Sequence, residues 1–544
     1  LHVGPLPVPA GSDQEDLETN PAVELFLAGA GAGRVRDARD LAAVGRIVTL
    51  LDGLPLAIEL AAAQQQVMSP AAIADLLERA GLRLLEAGWR DSAARFRTME
   101  QAVRWSSDLL AEDGRRLLRL LSVFRGGFTG SLVSLLAGKI GAPDLIAELP
   151  GLVNASLVRE IPSRSGTVRY AMLEPIRLVA AADLAGAGET GQARDAHAAV
   201  MVELAALCSR DHLGGDTASA LRVFADERDN FRAALDHLVE SRQPAQALRL
   251  VNALGFWWEH VGAIREANQW IGRVLSIDDG MAPPRDRWLA RWLNSLMAVQ
   301  AGNFPEGKQL ADAVLEIAEA AGDREGLAMG EVALAIWSQT SGGPLEDAIA
   351  RLDLAISPPV GSGFWLARAM AHHLRGAYLF HGTGDIPAAL DDLERSLELF
   401  RAHGGESLQA MPLCNLAAAL QAAGRRDEAI AAVRQALDLH ERLDQPLVQT
   451  NAAVRLASLM SEEEDIASST LAARLLGAFE ALNLRYGYSM DDMMLGVIDE
   501  TSARLKRRLG DRFEAEKLTG RSRAAESGHS RLLDLIAIEP AGRR

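Results

Sequence analysis

Lysine is the scarcest charge in this sequence: four in 544 residues, Lys139, Lys308, Lys506 and Lys517. The residues that follow them are Ile140, Gln309, Arg507 and Leu518. A P-loop needs Gly-Lys followed by Ser or Thr, because the ammonium reaches the β/γ-phosphates and the hydroxyl ligates Mg²⁺. None of the four fits, so the phosphate cradle is not encoded here and ATP hydrolysis by this polypeptide alone is not expected. Cysteine is almost as rare. Cys208 and Cys414 lie far apart with no His or Cys at metal-ligand spacing, which points to neither a disulfide framework nor a zinc site and suits a reducing cytoplasm. Missing too are a run of about 18 apolar residues and, in the opening "LHVGPLPVPAGSDQEDLE", a basic stretch leading into an apolar one; neither membrane span nor signal peptide is expected. His372, His373 and His381 form no H-E-x-x-H, and G-x-S-x-G is absent, so no catalytic residue and no metal ligand is nominated and the chain is expected not to be an enzyme. A net charge of −17 argues against nucleic-acid binding through the overall field, since phosphate contacts need clustered cations.

What the chain has in quantity is alanine and leucine. Hydrophobic residues reach 49% and aromatics only 5%, the composition of an all-α protein of packed helices. A turn with a small residue five positions later recurs as "GAIREA" from Gly262, "GNFPEG" from Gly302, "GPLEDA" from Gly343, "GDIPAA" from Gly384 and "GRRDEA" from Gly424. A weaker copy, "EDIASS", starts at Glu464. Each glycine is expected to end one helix in the left-handed region, and Ala267, Gly307, Ala348, Ala389 and Ala429 let the next helix sit close. Leu390, Leu393, Leu397 and Phe400 then mark an apolar stripe at helical spacing. A lone hairpin cannot bury such a stripe, and stacking neighbours into a solenoid does. The pattern is similar to the tetratricopeptide repeat, on the small residues Gly255, Ser295, Ala377 and Ala417 of the first helix and Ala355, Ser396 and Ala436 of the second, although the period near 40 exceeds the usual ~34.

Upstream the character changes. Residues 95–130 read as two amphipathic helices separated at Asp113-Gly114 and ended by Gly126-Gly127. Two β-rich runs, Leu157–Ile161 and Val168–Leu173, flank a Ser/Gly turn. Helices plus a hairpin make a winged-helix arrangement with a small β-wing. Its recognition segment "APDLIAELPGLVNASL" contains no Lys or Arg, so DNA is not expected to be bound directly by this chain. "GAGAGR" at Gly29–Arg34 imitates a dinucleotide fingerprint, but Arg34 replaces the last glycine and "AVELFLA" before it reads as helix.

Taken in order, "LDGLPLAIELAAA", "FRTMEQAVRWSSDLL", "RRLLRLLSVFRGGF", "LVNASLV", "VRYAMLEPIR", "DERDNFRAAL" and the repeats resemble the carboxy-terminal part of bacterial STAND regulators of the AP-ATPase or NB-ARC type, in the SARP/LuxR-type group. The resemblance implies a remnant of the nucleotide-binding core with a helical, GLP-containing subdomain over 1–94 and a winged-helix subdomain over 95–185. It further implies a helical linker over 186–240, a TPR-like repeat solenoid over 241–520 and a tail over 521–544. It places Pro55 of "GLP" against the adenine of ADP, while the same proline also reads as an ordinary first-turn residue of a buried helix. The family's Met-His-Asp corresponds to Met172-Leu173-Glu174, where Leu173 cannot make the histidine's phosphate contact. The chain itself is expected to require no cofactor, ADP or ATP entering only with a P-loop core supplied elsewhere, ahead of Leu1. Its implied partner is a protein or small inducer on the repeats, with homo-oligomer formation on activation.

Trp257, Trp258, Trp270 and Trp292 mark the first repeats, either lining a groove or packing between hairpins. "RLKRRLGDR" at 504–512 and "SEEED" at 461–465 read as solvated faces. Alternatives to a regulator are a stand-alone TPR-like adaptor and the carboxy-terminal part of a larger ATPase or nucleotidyl-cyclase assembly.

Overall fold

A computed structural model describes residues 6–9, 17, 19–30, 37–51, 53–66, 68–85, 100, 103–357, 365–443, 446–486 and 492–526. Its chain divides into two compact units, Leu1–Met201 with Ala225–His237, and Val202–Phe224 with Leu238–Arg544. The described elements are helical apart from one small sheet.

The first unit begins with α1 (Pro21–Ala30), α2 (Ala38–Leu50), α3 (Pro55–Ala63) and α4 (Pro70–Leu85). Pro55 occupies the first turn of α3, where its missing N–H costs nothing. Gly53 ahead of it has φ +65°, and its carbonyl accepts the Leu6 N–H at 2.8 Å. A Cβ there would stand 2.0 Å from the Leu6 carbonyl oxygen, so "GLP" needs its glycine for two independent reasons. "AVELFLA" lies in α1, as its composition suggests; residues 31–34 of the "GAGAGR" stretch fall outside the described residues.

Next come a helical segment over 103–108, α5 (Glu112–Leu121), β1 (Phe128–Thr129) and α6 (Gly130–Lys139). A 3-10 turn (Pro143–Glu148), α7 (Leu149–Asn154), β2 (Arg159–Ile161), β3 (Arg169–Ala171) and α8 (Glu174–Gly186) complete the winged-helix topology. The strands form an antiparallel sheet in the order β1-β3-β2. One boundary differs from expectation. The break between the two helices falls at 109–111, and Asp113 and Gly114 sit inside the first turn of α5. Extended Ala111 starts that helix, and Glu112 and Asp113 suit the positive end of its dipole. The wing strands are shorter than the β-rich runs that announce them.

After α8 follow α9 (Thr190–Gly214), α10 (Thr217–Asp226) and α11 (Arg228–Glu240). The second unit is then a series of hairpins: α12 (Pro244–His260) with α13 (Ile264–Leu275), α14 (Pro284–Gln300) with α15 (Phe304–Ala321), and α16 (Arg324–Thr340) with α17 (Leu345–Ile356). The series continues with α18 (Trp365–Tyr378) and α19 (Ile386–His403), α20 (Ala410–Ala422) and α21 (Arg426–Leu443), and α22 (Pro446–Ser461) and α23 (Ile466–Tyr486). Helices α24 (Asp492–Leu509) and α25 (Arg512–Glu526) close it.

The turns obey one rule. Gly262, Gly302 and Gly424 have φ of 68°, 81° and 74°, and the N–H after each returns to the helix carbonyl five residues back, as in Ala263 to Trp258 at 2.8 Å. This Schellman geometry satisfies carbonyls the helix end would strand. In the third hairpin the left-handed residue is Gly342, not Gly343. Once the turn is counted from Gly342, Ala335 falls seven residues before it, as Gly255, Ser295, Ala377 and Ala417 do before theirs, and it is fully buried. Gly343 is therefore the extra residue, and α17 starts one position late. In the fourth hairpin a π turn over Leu379–Thr383 lengthens the exit, so Asp385 N–H returns to Leu379 at 3.3 Å, six residues back.

The small positions bring helices together. Ala267, Ala348, Ala389 and Ala429 are fully buried, and a Cβ on Gly307 would lie 2.6 Å from Val299 Cγ2. Ser295 and Ser396 donate their hydroxyls to Gly307 O and Ala369 O, both at 2.7 Å, so each polar small residue is satisfied. The closest backbone approach comes later: a Cβ on Gly477 would meet Lys517 O at 1.8 Å and one on Gly520 would meet Arg474 O at 1.9 Å, so α23 and α25 cross in backbone contact. Far-apart segments of this unit also touch. His260 Nε2 lies 2.7 Å from Leu443 O, the His212 ring stands edge-on to His260 at 5.5 Å, and Gly404 sits against Gly214.

Candidate functional site

In the first unit α3 and the winged helix share a cleft of about 240 Å³. Its floor is apolar, from Val153, Leu157, Ala171, Leu173 and Ile176, and Glu59, Arg159 and Glu160 lie around it. Glu59 sits one turn beyond Pro55, and Leu173 is the middle residue of Met172-Leu173-Glu174, so the fold brings these two sequence blocks to one place. Pro55 itself is not among the lining residues. Ser156, with φ +57°, turns the chain into the cleft wall. Glu174 opens α8 and accepts two bonds from Arg177, at 2.8 and 2.6 Å, which hold its carboxyl below the usual range despite partial burial.

ADP does not fit this cleft as it stands. Ligand pockets commonly span about 300–1,000 Å³, and here two carboxylates face a single guanidinium, the wrong balance for a diphosphate. The Gly-Lys-Ser/Thr that would supply phosphate donors is absent from the sequence.

A second cluster was invisible to pattern reading beyond the resemblance of "DERDNF" to a family block. Asp226, Glu227 and Asn230, from the junction of α10 and α11, fasten three parts of the winged helix. Asp226 accepts Arg164 N–H at 3.1 Å, Ser165 N–H at 3.0 Å and the Ser163 hydroxyl at 2.8 Å, all from the turn between β2 and β3. Burial alone would raise its pKa, but these bonds outweigh burial and hold it low. Glu227, 3% exposed, pairs with Arg169 of β3, 2% exposed. Arg169 also donates to Gly127 O at 3.1 Å and Asp226 O at 2.8 Å. Asn230 accepts Arg125 N–H at 2.6 Å and donates to Gly127 O at 2.8 Å. The partners are 57 to 105 residues apart, which is why periodicity carries no trace of them.

In the repeats, the two alternatives for the tryptophans resolve to packing. Trp257, Trp258, Trp270 and Trp292 are at most 8% exposed, so they pack the first hairpins and do not line an open groove. Phe224 stacks on Trp257, and the Phe256 ring lies tilted by 44° against Trp292. The basic and acidic runs meet each other. Arg504 reaches Ser461 Oγ at 2.8 Å, Arg508 donates to Ser461 O at 2.9 Å and also to Glu463 O, and Arg426 pairs with Glu463 at 2.8 Å. His372 bonds the buried Asp392 at 2.7 Å, which Arg375 also grips at 2.7 Å, and His373 faces Asn415 at 3.0 Å. His381 lies in the π turn beside Phe380. Cys414 is buried and its thiol is pushed up to about 12, which makes it an inert core residue. Among the described residues no group of three His, Cys, Asp or Glu could hold a metal, and no helix is long and apolar enough to cross a membrane.

Residues 367–442 match the tetratricopeptide repeat family model. Over 268 residues the chain is 35% identical to "Putative HTH-type transcriptional regulator Rv0890c" of Mycobacterium tuberculosis, a match covering 47% of this chain and 29% of that protein. It is also 35% identical over 184 residues to an uncharacterized protein of the same organism, covering 31% of this chain and 44% of that one. The chain thus spans less than a third of the length of the first regulators it matches. Among solved structures, a STAND protein with a tetratricopeptide repeat sensor from Pyrococcus horikoshii aligns at 11% identity and TM-score 0.42, covering 92% of this chain and 72% of that one. Residues 367–442 are thus similar to the tetratricopeptide repeat, and about half of the chain is related to mycobacterial proteins named "Putative HTH-type transcriptional regulator".

Proposed function

We propose that this chain is the non-catalytic sensing portion of a STAND-type transcription regulator, which binds a protein partner or small inducer on its repeats. The hairpin array from Pro244 to Tyr486 supports this reading: its turns are satisfied, its helices meet at small residues, and stacked hairpins of this kind present extended surfaces for recognition. The relation to named regulators supports the transcriptional context. The winged helix supports it only as a lever, since its recognition segment has no cation and its wing turn is held by Asp226. In this reading nucleotide enters only when a P-loop core closes the cleft beside Glu59 and Leu173, the partner favours one of two states through differential affinity, and activation brings copies together in the cytoplasm.

Calorimetric titration with ADP tests the nucleotide half: no heat is expected at millimolar nucleotide, and micromolar binding by this chain would overturn it. In-cell photocrosslinking tests the rest. Partner or inducer adducts are expected on α12 to α23, and adducts confined to residues 1–201 would sink the sensor assignment.

A further inference from the structure

The turn between β2 and β3 reads Ser163-Arg164-Ser165-Gly166-Thr167. Two successive backbone N–H groups, of Arg164 and Ser165, converge on one carboxylate, and the Ser163 hydroxyl joins them. Ser165 Oγ is 2.8 Å from Ser163 Oγ and 2.9 Å from Thr167 Oγ1, which lines up a second rank of hydroxyls behind the first. Consecutive amides turned inward form an anion-binding concavity, and hydroxyls extend it. Gly166, with φ +76° and open space around it, lets the turn close. The Arg164 side chain is exposed and makes no ion pair among the described residues, so a guanidinium stands free at the rim.

We infer that the wing turn at 163–167 is an anion site for phosphate oxygens, which Asp226 occupies as a tethered competitor. The carboxylate supplies what a phosphate would: oxygens spaced to accept several N–H and O–H donors at once. Because Asp226 belongs to the chain, it competes as an intramolecular ligand, so the site is closed by default and opens only when an external anion reaches a concentration comparable to that effective concentration. Asp226 is next to Glu227 and its bond to Arg169, so an incoming phosphate that displaces it also strains that buried pair. Displacement is therefore coupled to loosening the α10–α11 junction from the winged helix, which makes the turn a latch on the lever that the proposed function requires. The anion site does not depend on that function: it rests on the turn and Asp226, and only its coupling to the lever runs through Glu227 and Arg169.

Two phosphate sources share this chemistry, inorganic phosphate or a small phosphomonoester, and a nucleic-acid backbone. The test uses the whole chain, with Asp226→Ala, Asp226→Asn, and Asp226→Ala combined with Ser163→Ala and Ser165→Ala. Asp226→Ala should bind inorganic phosphate at least about tenfold more tightly than wild type, a difference of ~1.4 kcal/mol, and the triple variant should lose that gain. A short duplex DNA run beside phosphate separates the sources: a gain for duplex that the triple variant abolishes assigns the backbone, and a gain for phosphate alone assigns the free anion. Hydrogen exchange on unmodified protein guards against a variant that does not fold. Peptides spanning 159–171 should exchange faster in phosphate than in chloride of equal ionic strength. Equal phosphate affinity in wild type and folded Asp226→Ala, or identical exchange in the two salts, overturns the inference.

Discussion

The two units solve the problem of holding helices together in opposite ways. In the first, the wing, the loop after α5 and the α10–α11 junction are joined by a handful of buried polar residues, Arg169, Glu227 and Asn230, each serving several partners. In the second, joining is repetitive: a left-handed glycine, a Schellman bond and a small residue recur along the array. Loss of one small-residue contact in the series leaves the other copies of the joint in place, while a unique polar knot fails as a whole. The difference also decides what can move, because a knot can be displaced by a competing charge and a packed small residue cannot.

Breaking the knot should have the largest effect. Glu227→Ala leaves Arg169 buried without its counter-ion, and removing one partner of a buried pair costs about 3–5 kcal/mol. Hydrogen exchange should show the loss in residues 103–201 and 225–237 with the repeats unchanged; equal loss in both units would contradict the division. Next comes the tightest joint of the repeat unit. Gly477→Ala or Gly520→Ala forces α23 and α25 apart against backbone atoms, and roughly 2–3 kcal/mol of destabilisation is expected. Limited proteolysis should then release the segment after 491 first.

Acid sharpens the comparison because each unit buries a histidine. His197 in the first is held down to about 4 by burial, and His212 in the second to about 3 by burial and by His260. Both folded values lie below the ordinary 6.5, so the unfolded chain binds the extra proton first. Stability is complete above about pH 6.5 and falls as pH drops toward 4, by up to ~1.4 kcal/mol per pH unit for each group. Melting curves between pH 7 and 4.5 should show it, and His197→Gln should flatten only the first unit's dependence. The smallest effect belongs to one repetitive joint: Ser396→Ala removes the bond to Ala369 O at about 1 kcal/mol, with the hairpin otherwise intact in denaturant titration.

Legibility followed the same division. The hairpins could be read because a small residue and a glycine recur at helical spacing, and the misplacement at Gly343 arose where two glycines adjoin and only φ distinguishes them. The wing was readable from local β-rich runs. The role of Asp226, Glu227 and Asn230 was not, since a carboxylate in a helix junction looks like a solvated one until its partner some 60 residues away is known. For the same reason the charge runs at 461–465 and 504–512 read as separate solvated faces, although they bind each other. The tryptophans illustrate a further gap: composition places indoles in the first hairpins and cannot say whether their faces look inward.

The bond between His260 and the Leu443 carbonyl joins residues 183 apart. Stacked repeats ordinarily exchange energy only with their neighbours and can fray from either end. Here the first hairpin is tethered to the close of the fifth, so the intervening coils share one fate. Melting of this array should therefore be abrupt, with the stretch from α12 to α21 lost together in a single transition.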